Sequence, residues 1–98
     1  MRRRVSFHHL AEDELNDAAQ YYERVRPGLV SAFLDEAERA IQGILEFPES
    51  APDVGNGVRR RLLHRFPYGI LYSIRDHEIR ILAIMNLRRR PFYWVGRD

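Results

Sequence analysis

Val58-Arg59-Arg60-Arg61-Leu62-Leu63-His64, Tyr68-Gly69-Ile70-Leu71-Tyr72-Ser73-Ile74-Arg75 and Glu78-Ile79-Arg80-Ile81-Leu82-Ala83-Ile84-Met85-Asn86 are three runs rich in β-formers, separated by only three and two residues. Runs of this kind, so closely spaced, read as consecutive strands of an antiparallel sheet. Successive side chains of a strand point to opposite sides. Val58, Arg60 and Leu62 therefore share one face of the first run, and Arg59, Arg61 and Leu63 the other. Tyr68, Ile70, Tyr72 and Ile74 fall on one face of the second. Asp76-His77 has the length of a tight hairpin connection, although neither residue is the usual glycine. The third run is apolar on both faces over its second half, as a strand covered on both sides would be.

Upstream the pattern changes. Residues 3–7 alternate briefly and read as a short first strand. From Leu10 the spacing turns helical: Leu15, Ala18, Ala19, Tyr22 and Val25 recur every three or four residues, with Glu12, Asp13, Glu14 and Asp17 on other faces. Pro27-Gly28 breaks the chain. A second amphipathic helix runs from about Leu29 to Glu46, burying Val30, Phe33, Ala37, Ala40, Ile41 and Ile44. So short a link makes the two helices an antiparallel hairpin. Pro48, Pro52 and Gly55-Asn56-Gly57 then mark a loop of about ten residues. The expected fold is α+β in the order β-α-α-β-β-β, a helical hairpin packed on one face of a mainly antiparallel four-stranded sheet, as a single domain over 1–98. The helix pair leaves the other face partly open, and the arginines of the second and fourth strands are expected on or near it.

All sixteen Lys or Arg residues are Arg. Residues 58–98 carry ten Arg against Asp76, Glu78 and Asp98, a formal +7, whereas residues 1–57 carry six Arg against eleven acids, a formal −5. A GC-rich coding habit accounts for Arg in place of Lys, but not for its clustering. Arg offers a planar fork of donors that matches phosphate or carboxylate oxygens two at a time. Two clusters, 59–65 and 88–90, the second followed by Phe92, Tyr93 and Trp94, point to an anionic partner, either nucleic acid or an acidic protein. The chain contains no Cys, which excludes a disulfide framework and thiolate metal sites and fits a reducing cytoplasm. Met1-Arg2-Arg3-Arg4 is not followed by the apolar stretch of a signal peptide, and no apolar run approaches a membrane span. His8-His9 are neighbours on a strand and point to opposite faces, so no metal is expected there. No cofactor is implied.

Taken in order, these segments resemble the RelE/ParE superfamily, the plasmid-stabilisation-type toxins of type II toxin–antitoxin modules. The likeness rests on Ala18-Ala19-Gln20-Tyr21-Tyr22-Glu23, on Phe33-Leu34-Asp35-Glu36-Ala37-Glu38-Arg39-Ala40-Ile41, and on the Pro48…Pro52 loop. It continues through Val58-Arg59-Arg60-Arg61-Leu62-Leu63-His64-Arg65-Phe66-Pro67-Tyr68, Ile79-Arg80-Ile81-Leu82-Ala83-Ile84 and Arg88-Arg89-Arg90-Pro91-Phe92-Tyr93-Trp94. The resemblance implies a small cytoplasmic growth inhibitor neutralised by an antitoxin encoded beside it. RelE-like members enter the ribosome and cut mRNA, and ParE-like members poison DNA gyrase.

Metal-free RNA cleavage needs a base for the 2′-hydroxyl, an acid for the leaving oxygen, and cations for the phosphorane-like transition state. Cations abound. The proton carriers reduce to His64 and Tyr93, and Asn86 stands where many superfamily members carry His. Asn cannot exchange a proton near neutrality, which favours inhibition by binding over cleavage. Arg59, Arg61, Arg65, Arg88, Arg89, Arg90, Asn86 and Trp94 are the residues expected to meet the target. Structural roles compete: His64 can simply bond the strand end, Phe92-Tyr93-Trp94 can cover the sheet, and Arg60 and Arg75 can pair with Glu36 or Glu38. Three functions remain open: a ParE-like toxin that inhibits DNA gyrase or another target by binding, a ribosome-dependent mRNA endoribonuclease, and a non-toxic nucleic-acid-binding or antitoxin-docking module.

Overall fold

The three β-rich runs form the centre of a mixed sheet in the computed structural model, which describes residues 3–98. Met1 and Arg2, the head of the basic start, lie outside the described residues. The elements in chain order are β1 (Arg4–Phe7), α1 (His9–Val25), α2 (Leu29–Glu46), β2 (Asp53–Gly55), β3 (Val58–Leu62), β4 (Tyr68–Ile74) and β5 (Glu78–Asn86). The sheet order is β1-β5-β4-β3-β2, with β1 parallel to β5 and the other pairs antiparallel. Arg75 N–H donates to the Glu78 carbonyl at 2.9 Å and closes the hairpin around Asp76-His77, as their spacing predicts.

One strand was not foreseen. The segment read as a loop contains β2, which makes the sheet five-stranded. Asn56 and Gly57 both take positive φ, 56° and 73°, the geometry of a two-residue turn whose twist matches that of the strands it joins. Asn-Gly is the commonest pair for that turn, so the residues that mark a loop also carry a hairpin.

The helical hairpin covers one face. Tyr22, Phe33, Phe66 and Tyr68 form its aromatic centre, with ring centroids 4.9 Å apart for Tyr22–Phe66 and 5.3 Å for Phe33–Phe66. Ile70, Tyr72, Ile79, Ile81 and Ile84 extend this core under the helices. The opposite face is less open than expected. Val58, Leu71, Leu82, Ala83, Met85 and Trp94 form a second cluster there, and Trp94, in the tail after β5, is 4% exposed. The apolar second half of β5 is thus explained by cover on both sides.

The arginines of β3 also differ from expectation. Arg59 and Arg61 lie opposite Tyr72 and Ile70 of β4, and Arg59 bonds the carbonyls of the loop that follows α2. They share the helix side with Leu63, and only Arg60 faces away. The alternation was right, but nothing in it says which face the helices choose. Arg75 donates to the Asp98 carbonyl oxygen at 2.8 Å rather than to a helix acid. Among the described residues, no helix is long and apolar enough to cross a membrane.

His8 opens α1. Its Nδ1 accepts from Leu10 N–H at 3.1 Å, its ring stacks on His9 at 4.5 Å between centroids, and it is buried. Burial chiefly, then the charges of His9, Arg97 and Arg80, lowers its pKa below 6.5, and Asp98 opposes them only in part. Below about pH 6.5 the unfolded chain takes up a proton that the folded chain refuses, so this site favours unfolding as pH falls. The melting temperature should therefore drop between about pH 7.5 and about pH 5.5. His8→Asn, whose Oδ1 can replace Nδ1 as the cap acceptor, should flatten that dependence in thermal melts.

Candidate functional site

Asn86 closes β5 opposite Tyr68, and its side chain shapes the turn beyond the strand. Its Oδ1 accepts from Arg88 N–H at 2.9 Å, and its carbonyl accepts from Arg89 N–H at 2.9 Å. This is the local turn that Asn favours. It directs the chain away from the sheet and leaves Arg88, Arg89 and Arg90 exposed. The Arg89 guanidinium lies 4.2 Å from the centroid of the Tyr93 ring, an attraction between cation and π-face.

Asn86, Arg88, Arg89 and Tyr93 line one side of a cleft of about 480 Å³, with Glu14, Asp17 and Tyr21 of α1 across from them and Pro67 and Tyr68 between. Four of the residues singled out in the sequence therefore meet here. Facing them is an acidic and aromatic wall that the sequence reading did not assign. The signal was present in the helical spacing of Glu14, Asp17 and Tyr21, but helix acids ordinarily belong to a solvated face.

Glu14 governs the chemistry of this cleft. Its Oε2 accepts from the Tyr93 hydroxyl at 2.9 Å, and Arg97 forks onto both its oxygens at 2.9 and 3.1 Å. Its Oε1 also accepts Ile84 N–H at 3.0 Å. Burial first, then the hydrogen bond and charge of Glu14, pushes the Tyr93 hydroxyl well above its ordinary pKa, against the opposing charges of Arg97 and Arg89. Tyr93 is thus held protonated with its hydrogen already donated, unsuited to act as a base and a poor acid.

The remaining candidates are dispersed. His64, Arg61 and Arg65 line a second groove of about 290 Å³ with Glu36, Arg39, Ala40 and Leu62. Glu36 is buried and accepts from the backbone N–H groups of His64 and Arg65, the latter at 3.2 Å, locking the β3–β4 connection onto α2. The His64 imidazole itself is exposed. Arg61 rests against α2 at Gly43, where an added Cβ would stand 2.8 Å from a guanidinium nitrogen. A glycine inside a helix is costly, and here it makes room for that side chain. Arg39, at helical spacing from Gly43, completes the groove and was not singled out in the sequence.

Arg59 is spent internally, donating to the carbonyls of Glu49 at 3.0 Å and Ala51 at 2.6 Å. Trp94 packs into the second core and is 4% exposed, and it borders a separate concavity with Arg60, Arg89 and Phe92. Arg90 stands apart from both concavities. Among the described residues, no group of three or more His, Cys, Asp or Glu side chains converges as a metal ion would require.

Arginine side chains thus border both the cleft beside Asn86 and the groove beside α2, on an α+β scaffold. The family model for the ParE toxin of the parDE type II toxin–antitoxin system matches residues 5–91. The chain belongs to that toxin family. Among solved structures, it superimposes on a protein of the chromosomal ParDE toxin–antitoxin system from P. aeruginosa with a TM-score of 0.76 at 18% identity, covering 88% of this chain and 97% of that one. Identity that low speaks to the fold alone. A search of curated proteins returned no match.

Glu14 and Arg97 are both largely buried, with side chains 16% and 11% exposed. Removing the carboxylate strands a buried cation, an N–H and a phenol. Glu14→Ala should therefore lower unfolding stability by about 3–5 kcal/mol in urea titrations, with Glu14→Gln losing less.

Proposed function

We propose that this toxin works in the cytoplasm by binding rather than by cutting RNA, with DNA gyrase as its target and a cognate antitoxin as the partner that silences it. The observation that supports binding is the state of Tyr93. Of the two proton carriers singled out in the sequence, Tyr93 is the one that lies in the arginine-lined cleft; it is committed to Glu14, and its pKa moves away from the range a general base needs. Asn86, beside it, has spent its carbonyl oxygen on the turn and cannot exchange a proton. His64 lines a different groove and meets no second proton carrier there except the buried, already bonded Glu36.

For a binding mechanism the same features are useful. Arg88 and Arg89 stand exposed at the lip of the cleft, fixed at their base by the Asn86 turn, and Arg89 is further oriented by the Tyr93 ring. Pre-ordered guanidiniums lose less rotamer freedom when they engage a target. Membership of the ParE toxin family supports the gyrase branch and an antitoxin with carboxylates to offset the arginines.

Purified gyrase should lose supercoiling activity as the full chain is added. Arg88→Ala combined with Arg89→Ala should raise the concentration needed for half-inhibition by at least about ten-fold, as expected when charge-assisted hydrogen bonds are removed. Full supercoiling at excess toxin would reject the target. New 5′ ends in cellular mRNA after induction, mapped by primer extension, would reject the binding mechanism.

A further inference from the structure

The groove between α2 and the β3–β4 connection carries more charge than the fold uses. Arg39, Arg61 and Arg65 all line it, and none of them makes an ion pair among the described residues, where Arg97–Glu14 is the ion pair found. The only acid in the lining, Glu36, is 7% exposed and already engaged with the backbone N–H groups of His64 and Arg65. It holds the turn and pairs with none of the three guanidiniums, of which Arg65 lies 5.7 Å from the centroid of the Phe66 ring. Arg61 is half-buried and seated against α2, so its position is set by packing rather than by an anion. The lining sets one carboxylate against three guanidiniums, although Arg39 also borders Asp35, Glu38 and Glu46 on its other side; the repulsion that remains is relieved when a ligand brings negative charge.

The rest of the lining distinguishes between anions. Ala40 and Leu62 supply apolar surface, and Leu62 is 48% exposed. No Phe, Tyr or Trp lines the groove, and the His64 imidazole is its only ring. Nucleic-acid sites that take single strands present aromatic platforms for the bases beside the cations for phosphate. This groove instead offers guanidinium forks beside an open aliphatic side chain. That combination suits a carboxylate with an apolar residue next to it, as on an amphipathic protein segment.

We infer that the Arg39–Arg61–Arg65 groove is a docking site for an acidic, leucine-bearing protein segment, separate from the Arg88–Arg89 cleft assigned to the target. This assignment rests on reading the chain as a toxin held by an acidic partner. It goes further in naming the groove, the side-chain chemistry that enters it, and the role of Gly43 in keeping Arg61 in place.

Fluorescence anisotropy with a labelled synthetic Glu/Leu peptide tests it on the full chain. Saturable binding is expected, weakened roughly ten-fold by Arg39→Gln or by Arg61→Gln and unchanged by Arg88→Gln. Gly43→Ala alters no charge but drives a Cβ into the Arg61 guanidinium. It should weaken the peptide about three-fold, a side-chain displacement costing less than a deleted charge, while circular dichroism shows helix content kept. A Glu/Ser peptide of equal charge should bind several-fold more weakly, and equal binding would remove Leu62 from the site. Full binding in the Arg39 and Arg61 variants overturns the assignment, as does absence of binding in a folded chain. Tighter binding of a single-stranded oligoribonucleotide, lost in the same variants, would give the groove to nucleic acid and overturn it as well. Gyrase inhibition is measured separately. A chain that spares gyrase but takes the peptide through Arg39 and Arg61 loses its target and keeps this groove, and the reverse result removes the groove alone.

Discussion

The longest strand of the sheet outruns its neighbour, and the structure is organised around that mismatch. β1 pairs with β5 only from Glu78 to Ile81, so beyond that point the β1-side edge of β5 has no strand beside it. Buried backbone groups left unpaired there would each cost about 1–3 kcal/mol. Two side chains take the place of the missing strand. Ile84 N–H donates to Glu14 at 3.0 Å, and the Leu82 carbonyl accepts from Arg97 at 3.0 Å. The two side chains are themselves joined by a bidentate ion pair, the geometry in which a desolvated pair best recovers the cost of its burial. One carboxylate on α1 thereby fixes the helix against the sheet, the tail against both, and the Tyr93 hydroxyl in the cleft.

A bulge in the same strand decides what the cleft contains. Leu71 pairs with Ala83 but Tyr72 with Ile81, so Leu82 is an extra residue on β5. Leu82 and Ala83 then both belong to the tail-side cluster, whereas Ile81 and Ile84 belong to the helix-side core. An unbroken alternation from Ile81 would have placed Ile84 and Asn86 on the tail side. The added residue reverses the phase, brings Asn86 round to Glu14, and starts the Arg88–Arg89 turn at the cleft rather than behind the sheet. Bulges re-aim side chains in this way near functional surfaces.

These two features explain where sequence reasoning succeeded and where it stopped. The helices were legible because Tyr22, Phe33, Ala40 and Ile44 recur at helical spacing. β3, β4 and β5 were legible because their residues alternate between tight connections. The β2–β3 hairpin was also legible in Asn56-Gly57, but three residues before that pair make too short a strand to declare itself without a partner. The side occupied by Arg59 and Arg61 was not legible, because both faces of β3 mix arginine with an aliphatic residue. Glu14 was hidden among Glu12 and Asp13, and its partner Arg97 lies 83 residues away in the chain. Such long-range pairs leave no periodic trace. Asn86 was noticed for the proton it cannot carry, and its structural work became visible only with the turn it closes.

The charge segregation along the chain can now be given a structural meaning. The acidic helices and the basic strands could have neutralised one another, since the helical hairpin packs directly on the sheet. Among the described residues the ion pair formed is Glu14 with Arg97 of the tail, not with a strand arginine, and that pair supports the backbone. Glu36, the other buried acid, bonds main-chain N–H groups and leaves its neighbouring guanidiniums free. The carboxylates that reach the interior are thus spent on holding the chain, while Arg39, Arg65, Arg88 and Arg89 stay exposed with unused donors. Exposed, weakly hydrated guanidiniums give up little solvation on binding and retain a fixed fork geometry. A fold that turns its buried acids to the backbone and keeps these arginines outward is consistent with the proposed binding of negative charge on another molecule, and their separation into two concavities is what the proposal of a target cleft and a separate docking groove rests on.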